Sequence, residues 1–92
     1  MKIADVVISL NGRDKNKYFI IIGCEEEYSL LADGKGRKLE KPKRKKNKHI
    51  KHDGTINNEI AEKLIKGEKI TNKDIRRTLA EYAAKLEKGD MR

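Results

Sequence analysis

Apolar positions change their period once along this chain. In the first half they fall in short blocks, Asp5 to Leu10 (DVVISL), Tyr18 to Cys24 (YFIIIGC) and Tyr28 to Ala32 (YSLLA), rich in β-branched, aromatic and aliphatic residues. Blocks of that length and composition predict strands. The pieces between them carry turn chemistry: Asn11-Gly12-Arg13-Asp14-Lys15-Asn16 after the first, and Ala32-Asp33-Gly34-Lys35-Gly36 with its Asp-Gly pair after the third. Such residues tolerate positive φ and favour hairpins, so the three strands form a meander. Ile20, Ile21 and Ile22 place apolar side chains on both faces, which makes the second strand central. Asn47 to Lys51, anchored by Ile50, is expected as a closing edge strand. Few residues remain to cover a flat sheet, which favours a small closed barrel.

The second half follows a helical period. Ile56, Ile60 and Leu64, with Ala61 and Ile65 beside them, mark an apolar stripe on a first helix over about residues 56–66, which Gly67 ends. Thr71 and Asp74 have the spacing of a capping box and start a second helix over about residues 72–88, with Gly89 as its terminator. Helices this short need an apolar partner. For the stripe of Ile75, Leu79, Tyr82, Ala83 and Leu86 that partner is the chain's own core or a second protein. Glu59 with Lys63, Glu62 with Lys66 and Glu81 with Lys85 have the favourable i,i+4 order, so the opposite faces are solvated. The fold class expected is mainly β with a helical C-terminal extension: a barrel unit over residues 1–52 and a helical tail over residues 53–92.

Charge changes this picture in one place. The 92 residues carry a net charge of +8, and Lys35 to His52 (KGRKLEKPKRKKNKHIKH) alone holds ten Lys or Arg against the single acid Glu40, a local +9. The flanking segments carry −2 and +1. A cluster that dense repels itself unless a polyanion screens it, and nucleic acid is the abundant intracellular polyanion. The alternative use of such a run is a solvated basic loop. Pro42 stiffens the run and keeps it from being helical.

Other chemistry is sparse. Cys24 is the only cysteine, which excludes an internal disulfide, and beside Ile20 to Ile22 it is expected as a small buried hydrophobe. His49 and His52 have no third ligand nearby, so phosphate contact or base stacking is the expected use and no metal or cofactor is implied. Glu25, Glu26 and Glu27 form a charged turn without the pocket that catalytic carboxylates need. No nucleophile triad or phosphate-cradling glycine loop is present, so the chain is expected not to be an enzyme. No apolar run is long enough to span a bilayer and Met1 to Leu10 lacks a signal pattern, which gives a cytoplasmic expectation.

Asp5-Val6-Val7-Ile8-Ser9, Gly12-Arg13-Asp14-Lys15, Tyr18-Phe19-Ile20-Ile21, Leu31-Ala32-Asp33-Gly34 and the run Lys41 to Ile50, taken in order, resemble the KOW-domain RNA-binding proteins. Within that family the chain is similar to a bacterial branch related to KOW-containing large-subunit ribosomal proteins of archaea and eukaryotes. The likeness covers roughly residues 3–52. It implies an SH3-like barrel that binds ribosomal or other structured RNA through loops and a basic face. The KOW turn usually has a glycine before the second strand, where this chain has Asn16, the residue other than glycine best suited to positive φ. The candidate RNA contacts are Arg13, Lys15 and Lys17 on the first turn, joined on one rim by Lys35, Arg37, Lys38, Lys41, Lys43, Arg44, Lys45, Lys46, Lys48, His49 and Lys51. Tyr18, Phe19 and Tyr28 are needed in part for the core, so recognition is expected to be of shape and phosphate. The competing expectation is a protein-interaction adaptor, or a transcription-associated KOW module, that holds a protein through the barrel or through Ile75, Leu79, Tyr82 and Leu86.

Overall fold

A computed structural model describes the backbone of residues 1–90 and the side chains of residues 1–86. Its elements are β1 (Asp5–Ser9), β2 (Tyr18–Cys24), β3 (Tyr28–Ala32), β4 (Lys43–Lys46), a 3-10 turn (Asn47–His49), β5 (Ile50–Thr55), α1 (Glu59–Lys66) and α2 (Asn72–Asp90). The fold is mainly β with a helical extension, as the two periods predict. One antiparallel sheet has the order β4-β3-β2-β1-β5, with β2 central.

The three N-terminal strands lie where their composition places them, because each alternates between two faces that are both apolar. Val7, Phe19, Ile21, Leu31 and Ile50 form one core cluster. Ala4, Val6 and Ile20 point the other way and pack with Ile56, Ala61 and Ile75. The helices therefore share a core with β1 and β2, and β5 continues to Thr55, past residue 52. Ile75 is fully buried and Leu79 and Tyr82 are partly buried against this cluster, so most of the stripe weighed as a partner-binding face serves the chain's own core. Leu86 stays 36% exposed. Among the described residues no helix is long and apolar enough to cross a membrane.

Two strand assignments differ from expectation. Asn47–His49 is a 3-10 turn, and the closing edge strand is Ile50–Thr55, paired with β1. The basic run itself supplies β4, which pairs with β3 in the register Tyr28↔Lys46 to Leu31↔Lys43. Strand order then forces curvature. In a flat sheet the edge strands would stand about 19 Å apart, four strand spacings. The four steps from Lys46 to Ile50 reach at most about 14 Å even when extended. The sheet has to curl to bring β4 and β5 together, and the Leu10 amide, donating to the His49 carbonyl at 2.9 Å, extends the β1–β5 pairing back to that connection.

Local signals at the turns act as expected. Asn16 takes φ 71° and its amide donates to the Ser9 carbonyl at 2.8 Å, so the turn survives without glycine and β2 keeps its register. Asn58 caps α1 by accepting from the Ala61 amide, and Gly67 ends it at φ 75°. Ile56 precedes this helix, because its amide donates to the Ala4 carbonyl at 2.9 Å and extends the sheet contact. The Thr71 hydroxyl accepts from the Asp74 amide at 3.1 Å while the Thr71 amide donates to the Asp74 carboxylate at 3.0 Å, a complete capping box. Gly89 lies within α2, which runs on to Asp90.

A bulge on β5 seats α2. Val6 faces Gly54 and Val7 faces His52, which leaves Asp53 as the extra residue. The Tyr82 hydroxyl donates to the Asp53 carboxylate at 2.6 Å, and any Cβ at Gly54 would run into that hydroxyl. Burial, and then the Asp53 carboxylate, push the Tyr82 hydroxyl above the usual phenol range, so it remains a donor. Gly54→Ala is expected to lower stability by about 1–3 kcal/mol through overpacking. In urea titrations Tyr82→Leu should recover part of that loss when combined with it, a non-additivity that two independent sites would not show.

Candidate nucleic-acid interface

The site begins with the alternation of β4. Arg44 and Lys46 are exposed, Lys43 is half-buried, and Lys45 turns inward with only 8% of its surface accessible. Taking an ammonium out of water requires compensating partners. Lys45 Nζ donates to Ser9 Oγ at 2.6 Å, to the Asn11 carbonyl at 2.8 Å and to Asp14 Oδ1 at 3.0 Å. All three protons are engaged, and the edge strand is tied to the end of β1 and to the turn after it. Lys45 is thus removed from the candidate RNA contacts, a correction to its place in that set.

Burial raises the tendency of the Asp14 carboxyl to hold its proton, but the hydrogen bonds from Lys45 and Ser9, with the charge of Lys45, outweigh it. The carboxyl is held below its ordinary range. A carboxylate with a depressed native pKa contributes stability that is complete above its unfolded value of about 3.9 and is lost as pH falls through the native value.

With the turn tied to β4, bases from separate stretches meet. A groove of about 480 Å³ is lined by Arg13 and Lys17 from the β1–β2 turn, Arg37 from the β3–β4 connection, Lys43, Arg44 and Lys46 from β4, and His49 from the 3-10 turn. Its two acids are already engaged: Asp14 by Lys45, and Asp33 by the amides of Lys35 and Arg37, each at 2.9 Å. Lys15, Lys35, Lys38, Lys41, Lys48 and Lys51 are exposed but do not line this groove. Lys48 borders a separate concavity with Glu26 and Glu27, and Lys51 lies on β5 opposite Ile8. The convergence expected of Arg13 and Lys17 with the central run is present; that of Lys15 is not.

The histidines part company. His49 Nδ1 lies 2.9 Å from the amide nitrogen of Asn11, at the groove, while His52 Nε2 lies 3.6 Å from Asp5 on β5. With the Asn11 amide as donor, the neutral His49 ring carries its proton on Nε2.

One lining residue was missing from the candidate set. Tyr28 sits at the start of β3, its ring 3.6 Å below the Arg44 guanidinium carbon and 5.9 Å from Lys46 Nζ. Arg44 Nε donates to Glu25 Oε1 at 2.7 Å, so one carboxylate of the acidic turn holds the guanidinium in place. In sequence Tyr28 reads as a strand residue; only its cross-strand position opposite Lys46 puts it among the bases. Cys24 is also displaced from expectation. It is exposed at the end of β2, with its thiol 3.6 Å from the Met1 carbonyl, because the strand runs on past the core residues Ile20 to Ile22.

Two outcomes follow from the buried pair. Lys45→Met is expected to cost about 3–5 kcal/mol, since it strands a buried carboxylate, and Asp14→Leu in the same chain should recover most of it in urea denaturation. Asp14→Asn should flatten the acid limb of the stability-versus-pH curve below about pH 4, measured by thermal melts across that range. Comparison with the models of known protein families and with curated proteins finds no match for this chain, so its interface is characterised by geometry and chemistry alone.

Proposed function

We propose that this chain is a non-enzymatic RNA-binding protein of the cytoplasm, an SH3-like barrel of the KOW kind whose groove holds phosphates of structured RNA, with ribosomal RNA as the partner that the resemblance implies. The observation that carries this reading is the assembly of six solvent-facing or half-buried bases, Arg13, Lys17, Arg37, Lys43, Arg44 and Lys46, in one groove whose only acids are already engaged. Lys and Arg at that density neutralise phosphates and release condensed counterions, and Arg13 and Arg37 add bidentate forks. No nucleophile–base pair lines the groove.

The adaptor reading has less behind it. Its stripe is largely covered, with Ile75 fully buried and Leu79 and Tyr82 packed on the same cluster. A transcription-associated KOW module would use the same groove and differs only in which RNA reaches it.

Fluorescence anisotropy against a structured RNA, repeated across salt concentrations, tests the proposal. With Arg44 paired to Glu25, neutralisation of five phosphates by Arg13, Lys17, Arg37, Lys43 and Lys46 predicts a slope of log affinity against log salt of about −3.5 to −4.5. A slope shallower than about −1 would exclude a phosphate-binding groove. Neutralisation has to spare Lys45, whose loss would unfold the site. Lys43→Ala with Lys46→Ala should reduce the steepness by about two, with affinity falling uniformly across RNA sequences. Lys48→Ala with Lys51→Ala, which lie off the groove, should leave both nearly unchanged.

A further inference from the structure

Within the groove Arg44 is arranged differently from the other bases. A phosphate-binding arginine presents its nitrogen edges as a free fork. Here the Nε edge is taken by Glu25 Oε1 at 2.7 Å, and the guanidinium carbon lies 3.6 Å from the centre of the Tyr28 ring. At that separation the guanidinium sits over the face of the ring in van der Waals contact, the geometry of a cation–π pair. One face is covered by tyrosine and one edge is held by carboxylate. The side chain is nonetheless 54% exposed, and it lines the groove. What remains open is the outer face of an oriented, planar cation.

We propose that the Glu25–Arg44–Tyr28 stack is a seat for a single unpaired nucleobase, which lies flat on the outer face of Arg44 while the surrounding lysines hold the flanking phosphates. This rests on the RNA-binding reading above and names the element of RNA that the groove selects: a loop or bulge with one base out of its stack. Three features of the site fit that ligand. Nucleobases stack on guanidinium planes as they do on aromatic rings, and an arginine already sandwiched on a tyrosine gives up little freedom when a base joins it. The Glu25 contact fixes the rotation of the plane, which a mobile phosphate-seeking arginine would not need. Lys46, 5.9 Å from the same ring and on the same side of β4 as Arg44, and Lys43, which lines the same groove, supply charge for the backbone of the nucleotide seated there. A lone stack also accords with the shortage of aromatic residues: it seats one base and gives no platform for reading a run.

The test uses the whole protein and two RNA hairpins that differ only at one loop position, carrying either 2-aminopurine or an abasic site there. Arg44→Lys keeps the charge and removes the plane. The expected result is that wild type quenches or perturbs the 2-aminopurine fluorescence and prefers that hairpin over the abasic one by about tenfold. Arg44→Lys and Tyr28→Leu should each abolish the preference and the fluorescence change, with the salt slope of Arg44→Lys unaltered. Glu25→Gln should weaken the preference without a shallower slope. The proposal is overturned if Arg44→Lys binds both hairpins as wild type does while Arg44→Ala loses about one from the salt slope, which would make Arg44 a phosphate contact and leave the groove reading intact. If wild type shows no salt-dependent binding to either hairpin, the groove reading and the base seat both fall. Thermal melts of each variant confirm folding; Arg44 and Glu25 are exposed, so neither change threatens the core.

Discussion

The Lys45 ammonium, buried between Ser9, Asn11 and Asp14, is the interaction on which the rest of the interface depends. A strand made of Lys, Arg, Lys and Lys has no apolar residue to fix which side faces in. The Asp14 carboxylate and the Ser9 hydroxyl, with the Asn11 carbonyl, supply that choice, because together they let an ammonium leave water with all its protons bonded. Once Lys45 turns in, strand alternation sends Arg44 and Lys46 out, and the turn that carries Asp14 is drawn up beside them with Arg13 and Lys17. One ion pair ties the edge strand β4 to the turn after β1 and also collects the charge outside it.

The opposite face of the sheet is covered by the helices, and their role reaches the groove indirectly. Asn72 at the start of α2 accepts from the Leu39 amide at 2.8 Å and donates to the Glu40 carboxylate at 2.8 Å, and Arg76 donates to the Gly34 carbonyl at 2.6 Å. These contacts hold the ten-residue connection between β3 and β4 against the helix. Gly34, at φ 78°, has no room for a side chain beside the Asn72 carbonyl and Arg76. Fixing that connection positions Arg37 at the groove rim, so α2 acts both as a lid on the second core cluster and as a brace for the basic site. Its middle is held by Tyr82 on the β5 bulge. The helix thus runs from the loop beside one edge strand to the other edge strand.

Much of this was legible along the chain. Period-two blocks located β1, β2 and β3, the double-sided Ile20 to Ile22 marked the central strand, and Asn16 announced a turn that needs positive φ. Gly67 and the Thr71–Asp74 box set helix limits through local hydrogen bonds that involve only near neighbours. The excess of charge between Lys35 and His52 was visible as a count, and Arg13, Lys17, Arg37, Lys43, Arg44, Lys46 and His49 do line one groove, beside the inward-turned Lys45.

What the sequence by itself determined was therefore local: which segments extend, where helices start and stop, and how much positive charge has to be placed. Only the tertiary structure decided that Lys43–Lys46 is a strand, that Lys45 is inside it, that Tyr28 underlies Arg44, that Ile56 precedes its helix and that Cys24 lies in solvent. The physical reason is common to all five. Each depends on a partner far along the chain, β3 for β4, Asp14 for Lys45, Arg44 for Tyr28 and Ala4 for Ile56, or on where the core ends, as for Cys24. A run of identical charges, or a residue at the end of a strand, carries no period from which its side of the sheet can be read.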